Sequence, residues 1–395
     1  MNWQEYKLGD LYEVHNGLSK GSKYFGSGYG FLSFSTVFNN YFIPDELTDL
    51  VQSTDKEQKS YSINRGDVFV TRTSETSDEL GMSCVALKDY PHATYNGFTK
   101  RLRPTTDKVV PEYIGYYMRM PSFRGKFMAF STMTTRASLK NEDLLGLVVM
   151  LPDREIQKKI ADQLRAYDFL IENNRKQIAL LEEAAQRLYK EWFVDLRFPG
   201  YKETKIVNGL SEGWKIEKLS EIANIIMGQS PKSEYFNHNQ EGLPFHQGVG
   251  SYGFRYVIND TYTTSYTRIA DEGSILFSVR APVGRLNITK KKVVIGRGLA
   301  ALMQKGRYQS FMFYMLKTHY FKDNLVGNGS IFASITKDQL ANQKFVVPDD
   351  NTLARFDRTV KSIDKKIQCL DTSITILTEA RDRLLPKLMG GEIEV

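Results

Sequence analysis

Residues 136–152 read RASLKNEDLLGLVVMLP, and residues 332–348 read FASITKDQLANQKFVVP. The two stretches align without a gap at an offset of 196 residues, and each ends on a proline that precedes a long helical pattern. Self-similarity at a fixed distance is typical of a duplicated structural unit. The chain is therefore predicted to contain one unit that occurs twice.

The beginnings of the two copies repeat as well. WQEYKLGDLYEV, which starts at Trp3, resembles WKIEKLSEIANI, which starts at Trp214, at an offset of 211. The change of offset means that the first copy carries about 15 extra residues. One insertion is visible, because Arg72 and the next glycine lie nine positions apart, whereas Arg280 and its next glycine lie four apart. The alignment treats these two arginines as equivalent.

Each copy ends in a long amphipathic helix with apolar residues in steps of three and four. This spacing is typical of a coiled coil. Because a globular domain separates the two helices, we expect them to pack antiparallel. Asn174 interrupts the first seam; it either sets the register or occupies a solvated position near a kink. The predicted seam comprises Leu164, Tyr167, Ile171, Asn174, Ile178 and Leu181, then Val360, Ile363, Ile367, Leu370, Ile374 and Leu377.

Prolines and glycines divide the chain into six segments. Short β-rich runs and helical candidates in the globular parts predict mixed α/β domains, each with an irregular sheet. Pro386 and the Gly390–Gly391 pair are expected to end the second helix. The predicted segments are domain 1 at 1–152, helix 1 at 153–193, a linker at 194–213, domain 2 at 214–348, helix 2 at 349–388 and a tail at 389–395.

Composition limits the class of protein. The chain has 395 residues, 41% of them hydrophobic, which is ordinary for a globular protein. Its N-terminus has no signal-peptide pattern, no apolar run is long enough to span a bilayer, and its two cysteines suit a reducing compartment. We therefore expect an intracellular protein without a membrane partner.

The net charge of +7 is unevenly distributed. Residues 201–348 contain 19 Lys and Arg against 11 Asp and Glu, whereas residues 1–152 contain 17 of each. A local excess of positive charge favours a polyanion partner, although +8 over a segment of this size also falls within ordinary scatter. If the partner is a nucleic acid, the second domain should hold its phosphates more strongly and with more salt dependence.

Two patterns suggest an enzyme, and both fail on their context. The segment FGSGYG at 25–30 resembles a methyltransferase cofactor loop, but FLSFSTVF at 31–38 has a strand pattern where a helix is required. A glycine turn between strands is the simpler interpretation. Asp45 and Glu57 have the spacing of a nuclease metal site, but STDKEQKS at 53–60 is expected to be a loop.

No other catalytic constellation is found. The five histidines lie far apart and lack the spacing of metal ligands, so no zinc site is predicted.

Side chains suited to nucleic acid recur at matching places in both copies. Arginine can bridge guanine, glutamine can bridge adenine, and lysine and serine mostly hold phosphates. Most of these groups are expected at turns, and any single one could instead be an ordinary surface residue. The candidates are Lys20, Ser22, Lys23, Thr71, Arg72, Ser74, Arg101, Arg103, Thr135 and Arg136, then Gln229, Ser230, Lys232, Arg280, Arg285, Lys291 and Arg297.

With these features together, the chain resembles the specificity subunit of Type I restriction–modification systems, the HsdS family. Two stretches carry the resemblance: AAQRLYKEWFVDLRFPG at 184–200 and ARDRLLPKLMGGEI at 380–393. The repeated order of domain and helix extends it over the whole chain. The resemblance implies a pseudo-twofold fold, in which two target recognition domains are separated by two antiparallel coiled-coil helices.

The same resemblance implies a function and partners. Each recognition domain would read one half of an interrupted, asymmetric site in double-stranded DNA. The helices would bind two methyltransferase subunits, which carry adenine methylation, and restriction subunits would complete an ATP-dependent endonuclease in the prokaryotic cytoplasm. S-adenosylmethionine, ATP and Mg²⁺ would belong to those partners, and this chain would hold no cofactor and perform no catalysis.

The physical reasoning agrees with this plan and leaves two alternatives. A twofold arrangement within one chain can present two readers to DNA segments about one helical turn, ~34–36 Å, apart. The helix length would then set the gap between half-sites. The alternatives are a self-contained methyltransferase or nuclease, and a coiled-coil scaffold that does not bind DNA.

Overall fold

The computed structural model describes residues 3–74, 80–128, 137–320 and 334–395. The chain divides into two compact units. Unit 1 comprises Met1–Ile171 and Ile376–Val395, and unit 2 comprises Glu172–Thr375. Each unit therefore contains a globular part together with a portion of each long helix.

In the described part of unit 1, short strands are combined with five short α-helices. Its strands are β1 (Gln4–Lys7), β2 (Tyr12–Asn16), β3 (Phe25–Leu32), β4 (Leu50–Val51), β5 (Val68–Thr71), β6 (Thr73–Ser74), β7 (Ser83–Val85), β8 (Thr94–Tyr95), β9 (Thr99–Pro104), β10 (Ala137–Ser138) and β11 (Val148–Leu151). Its short helices are α1 (Phe34–Asn39), α2 (Asp55–Ser60), α3 (Pro111–Tyr117), α4 (Pro121–Met128) and α5 (Asn141–Leu145).

Two long helices follow the globular parts, α6 (Arg154–Tyr189) and α10 (Asp350–Met389). The other helices of unit 2 are α7 (Leu219–Ile222), α8 (Gln309–Tyr320) and α9 (Lys337–Ala341). Its strands are β12 (Ile206–Val207), β13 (Leu210–Ser211), β14 (Lys215–Lys218), β15 (Ala223–Met227), β16 (Phe236–Asn237), β17 (Leu243–His246), β18 (Tyr262–Thr263), β19 (Ile269–Ala270), β20 (Ile275–Ser278), β21 (Leu286–Ile288), β22 (Val293–Ile295), β23 (Leu299–Gln304) and β24 (Lys344–Val347).

The duplication is visible in the sheets. Unit 1 has a four-stranded antiparallel sheet of order β2-β9-β5-β7, and unit 2 has the same sheet as β15-β23-β20-β21. Tyr12 pairs with Pro104 in the first, and Ala223 pairs with Gln304 in the second. A strand pair precedes each long helix, β1 with β11 and β14 with β24. These matches confirm the predicted mixed α/β fold with an internal repeat.

Two central strands, β5 and β20, have mostly apolar side chains on both faces. All four residues of β5 and all four of β20 are buried. A continuous buried run of this kind requires cover on both sides of the sheet. In unit 1 the cover includes Tyr113 and Tyr116 of α3, and in unit 2 it includes Phe311 of α8.

The long helices contribute to both cores. In unit 1, Leu164 of α6 and Leu388 of α10 belong to one buried cluster. In unit 2, Ile178 of α6 clusters with Ile367 of α10, while the Tyr189 ring lies 6.1 Å from that of Phe356. Moving forward along α6 therefore means moving backward along α10. The two helices are antiparallel, as predicted.

Three local predictions were wrong. Glycines 26 and 28, expected in a turn, lie within the bulged strand β3 at φ of 92° and 103°. The segment FLSFSTVF is a strand only to Leu32, because Ser33 then accepts a hydrogen bond from the Thr36 amide at 3.3 Å and caps α1. The expected loop STDKEQKS contains helix α2, whose first turn is closed by a capping box between Thr54 and Glu57.

The second long helix continues through Pro386 to Met389, so the prediction that Pro386 helps to end it was also wrong. Proline removes one hydrogen bond from a helix interior. Burial on both sides of Pro386 offsets this cost, because Leu385 and Leu388 are 4% and 0% exposed. Among the described residues, no helix is long and apolar enough to cross a membrane.

Candidate nucleic-acid interface

Both units contain the same turn, built on a glycine at the end of an edge strand. A Cβ added to Gly17 would lie 2.1 Å from the Asn96 carbonyl oxygen, and one added to Gly228 would lie 2.1 Å from that of Gly296. Only glycine tolerates such an approach between two backbones. Each glycine leads into a 3₁₀ turn, Ser22–Tyr24 in unit 1 and Ser233–Tyr235 in unit 2.

In unit 2 this turn forms one wall of an open groove of about 740 Å³. Three predicted residues, Ser230, Lys232 and Arg297, line the groove. The stacked rings of Phe236 and Phe245, 4.6 Å apart, also line it. The structure therefore brings a hydroxyl and two cationic side chains together beside an apolar surface.

Gln229 supports this groove through its backbone. Its N–H donates to the Ile295 carbonyl at 2.9 Å, and the N–H of Gly228 donates to the Leu299 carbonyl at 2.9 Å. These two bonds fix the turn against the β22–β23 connection, which carries Arg297. The predicted residues Gln229 and Arg297 thus belong to one structural feature although they are far apart in sequence.

The other three candidates of unit 2 do not line this groove. Arg280 is exposed, and its backbone forms a bridge to Ser334. Arg285 lines a different cavity of about 450 Å³, beside Phe313. Lys291 lies over the ring of Tyr262, 5.4 Å from its centroid.

In unit 1 the candidates at the turn are held by neighbouring side chains. The Lys20 ammonium forms a 2.8 Å ion pair with Glu57, which lowers the pKa of that carboxyl. Lys20 and Lys23 both lie 5.0 Å from the ring centroid of Tyr24. Ser22 opens the 3₁₀ turn and is exposed. This surface is again basic and aromatic.

Arg101 and Arg103 lie in strand β9 rather than at a turn, which corrects the predicted location. Arg103 forms two hydrogen bonds to the buried carboxylate of Asp67, at 2.7 and 2.8 Å, and the bond to Asp67 raises the pKa of Arg103. Arg101 is 3% exposed and donates to the Ser62 carbonyl at 2.8 Å. The structure thus gives both arginines partners inside the domain.

The expected equivalence of Arg72 and Arg280 was wrong by one residue. The Arg72 amide donates to the Phe98 carbonyl at 3.0 Å, and the amide of Val279 makes the matching bond to Gly298 at 2.9 Å. Arg72 thus corresponds to Val279, and its guanidinium donates to Asn16 at 3.2 Å.

The residues just before this position do correspond. Thr71 Oγ1 accepts a hydrogen bond from the Met82 amide at 2.9 Å, and Ser278 Oγ accepts one from the Arg285 amide at 2.8 Å. Both side chains are buried and serve the sheet. Ser74 lies in the short strand β6, and Thr135 and Arg136 lie outside the described residues.

Sequence reasoning missed Gln247, which also lines the groove of unit 2. Ser230 Oγ donates to its Oε1 at 2.7 Å. The signal available was its place in the segment PFHQG, directly after a buried strand and before a glycine. Exposed polar side chains at strand ends are common in binding sites.

The helix seam is polar where Asn174 lies. The Asn174 amide donates to Ser373 Oγ at 3.0 Å, and both side chains are half-buried. Of the predicted seam, Leu164, Ile171, Ile178, Val360, Ile367 and Leu370 are buried, and Tyr167, Leu181, Ile363, Ile374 and Leu377 are half-buried.

The arrangement offers hydrogen-bond donors and two cationic side chains, one of which, Lys232, forms an exposed 3.6 Å ion pair with Glu234 of the same groove. Within the described ranges, no group of three or more His, Cys, Asp or Glu side chains could hold a metal ion. The groove of unit 2 can bind an anionic ligand with polar edges, and its aromatic pair can contact a flat apolar group.

Comparison with known proteins identifies the family. Residues 1–183 and 211–381 match the family described as the Type I restriction modification DNA specificity domain. The chain is 29% identical over 403 residues to the putative type I restriction enzyme MjaX specificity subunit of Methanocaldococcus jannaschii, covering all of this chain and 94% of that protein. It is 22% identical over 468 residues to the HindI specificity subunit of Haemophilus influenzae, covering 99% and 100%.

A solved structure has the same fold. The crystal structure of the Type I restriction–modification system S subunit from M. genitalium matches with a TM-score of 0.56 at 15% identity, covering 98% of this chain and 96% of that one. The family match falls in two segments, one for each copy of the repeat, and it covers most of the chain. The chain therefore belongs to the DNA specificity subunits of Type I restriction–modification systems.

Proposed function

We propose that each unit reads one half of an interrupted, asymmetric site in double-stranded DNA. One observation carries this proposal: the two units share a glycine-based turn but present different side chains on it. Residues 18–23 read LSKGSK in unit 1, and the matching residues 229–234 read QSPKSE in unit 2. Equal backbones support equal docking on DNA, while unequal side chains support recognition of different bases.

We further propose that the long helices bind two methyltransferase subunits. Their exposed faces carry large apolar side chains, namely Phe169 at 70%, Leu180 at 65% and Ile376 at 61% exposure. Isolated exposed residues of this kind are ordinary, but amphipathic helices that keep them on the outer face are suited to a partner.

The catalytic steps are then assigned to the partners. Methyltransferase subunits would transfer the methyl group to adenine from S-adenosylmethionine, and restriction subunits would use ATP and Mg²⁺ in a complex located in the cytoplasm. The contribution of this chain is selective binding, because its grooves present donors to base edges and phosphates.

Co-expression tests this division of labour. The chain is expressed with the methyltransferase subunit of its own system in a host that lacks adenine methylation, and the methylated positions of the genome are sequenced. We expect a single interrupted motif that requires both proteins. Methylation by the purified chain alone with S-adenosylmethionine would instead support a self-contained enzyme. Failure to bind DNA with the partners present would support a scaffold.

A further inference from the structure

One backbone amide and two side chains in the groove of unit 2 form a directed chain of hydrogen bonds. The backbone N–H of Arg297 donates to Ser230 Oγ at 3.2 Å, and Ser230 Oγ donates to Gln247 Oε1 at 2.7 Å. A hydroxyl has one proton to give. Because the Ser230 oxygen already accepts from Arg297, that proton is directed at Gln247 and fixes the orientation of its amide.

The part of the Gln247 amide that remains without a partner is its NH₂ group, which donates hydrogen bonds. Its oxygen is engaged, while Nε2 carries two N–H groups and has no hydrogen-bond partner in the part of the chain that the structure describes. Gln247 is exposed, and so is Arg297, whose guanidinium likewise has no partner there. Both residues line the same groove, and the polar groups that they leave without a partner there are N–H donors.

Two glycines preserve this geometry. A Cβ added to Gly296 would lie 2.3 Å from Gln247 Oε1, and one added to Gly298 would lie 2.5 Å from the Gln247 carbonyl oxygen. A side chain at either position would displace Gln247. The connection that carries Arg297 is thus built around the position of this amide.

We propose that Gln247 and Arg297 determine specificity in unit 2 by selecting a base whose edge presents acceptors. In the major groove such an edge belongs to guanine, through O6 and N7, or to thymine, through O4. The usual two-bond contact of glutamine with adenine is disfavoured, because Ser230 already occupies one lone pair of the Gln247 oxygen and that oxygen lies against Gly296. This inference rests on the proposed reading of one half-site by unit 2.

Selection from randomised DNA tests the inference, with the chain in complex with its methyltransferase subunits at one fixed salt concentration. We expect the wild-type complex to select guanine or thymine at one position of one half-site. In Gln247→Glu the side chain becomes an acceptor, so the preference should change to cytosine or adenine, whose amino groups donate. In Ser230→Ala the freed oxygen should allow adenine as well.

Arg297→Ala should relax the preference at one position and reduce the discrimination there about 5- to 150-fold. Lys232→Ala is the matched control from the same groove. We expect it to weaken binding equally for all sequences and to reduce the salt dependence, as a phosphate contact does. The thermal unfolding midpoint of each variant shows that it is folded.

The outcomes separate the two proposals. If the wild-type complex selects a motif and both Gln247→Glu and Ser230→Ala keep its base preference, the role of Gln247 is overturned while the proposed function stands. If the wild-type complex selects no sequence, the proposed function fails and the inference fails with it.

Discussion

The guanidinium of Arg255 lies 2.9 Å from the carboxylate of Asp364, inside unit 2 and only 1% exposed. It also contacts Glu182 at 3.2 Å, and it lies 3.6 Å from the ring centroid of Phe313. Desolvation opposes the charge of Arg255, but Tyr314, Asp364 and Glu182 outweigh it, and the pKa of Arg255 is raised. These contacts fix a loop of the recognition domain to both long helices.

In unit 1 the corresponding aspartate also pairs with an arginine, but this arginine lies on α10 instead of a loop of the globular part. Asp168 precedes Asp364 by 196 residues, the offset of the repeat, and each aspartate accepts a hydrogen bond from a tyrosine of the domain, Tyr116 or Tyr314. The arginine that pairs with Asp168 is Arg381, on α10. The duplicated unit thus retained the aspartate and the tyrosine and changed the source of the positive charge.

Arg255→Met should destabilise unit 2 strongly. Removing one partner of a buried ion pair leaves the carboxylates uncompensated, and the expected loss in the free energy of unfolding is about 3–5 kcal/mol. Urea denaturation measures it. Arg187→Ala is the control, because its i,i+4 pair with Glu183 is exposed and should contribute less than about 1 kcal/mol. Equal losses in the two variants would show that the buried network does not hold the domain.

A double-mutant cycle tests the polar pair of the helix seam. Ser373→Ala leaves the half-buried Asn174 amide without its partner and should lower the free energy of unfolding by about 1–2 kcal/mol. In Asn174→Leu/Ser373→Ala both partners are apolar, and most of this loss should be recovered. Urea denaturation of the two single variants and the double variant gives the coupling. Strict additivity would mean that the two side chains do not interact in solution.

The pH dependence of unit 2 should include a contribution from His246. Burial lowers the pKa of His246, and its ring nitrogens lie 2.7 Å from Ser251 Oγ and 3.1 Å from Asn259 Oδ1, with Asp260 and Lys291 as the nearby charges. The folded state therefore favours the neutral ring. Its contribution to stability is complete above the unfolded pKa of about 6.5 and is lost as the pH falls below that value.

His246→Gln should remove this loss. Urea denaturation at several pH values between 5 and 7.5 measures the free energy of unfolding. As the pH falls, this free energy should decline less in the variant than in the wild type, by up to about 1.4 kcal/mol per pH unit. His15→Gln is the control, since the His15 side chain is 52% exposed. A wild-type decline that persists unchanged in His246→Gln would assign it to other groups.

Periodicity and self-similarity were enough to predict the repeat, the two long helices and their antiparallel packing. Periodicity is a local signal, and self-similarity occurs at a constant offset, so both can be detected in a single sequence. The roles of single charged residues were harder to predict. Arg103 and its partner Asp67 are 36 positions apart, and no pattern in the chain indicates that they meet. A basic residue in a polar stretch was interpreted as a surface group, whereas strand pairing placed it beside a buried carboxylate.

In the candidate site, too, residue types could be predicted from the sequence, whereas contacts between distant residues could not. Gln229, Ser230 and Lys232 were predicted together at a turn and Arg297 apart from them, and the structure places Arg297 in the strand connection beside that turn. Gln247 was missed because its significance comes from the hydrogen bond to Ser230, across 17 residues. Residue types thus predict which side chains suit nucleic-acid recognition, whereas the fold decides which of them lie close together.

If the duplicated turn contributes to reading two different half-sites, an exchange of the turns between the two units should exchange part of the recognition. Residues 19–23 and 230–234 have equal length, and the exchange leaves the buried Leu18 in place. Gly21, which becomes lysine in the forward graft, has φ of −70° and open space where a Cβ would lie. Grafting SPKSE into unit 1 and, in a second variant, SKGSK into unit 2 should therefore preserve the fold.

Genome-wide sequencing of methylated adenines, with each variant co-expressed with its methyltransferase subunit, provides the measurement. We predict that the first graft changes bases in one half of the interrupted motif only, and that the second graft changes bases in the other half only. A change in the same half from both grafts, a change in both halves from either one, or an unaltered motif in both variants would show that the turn does not read the half-site of its own unit.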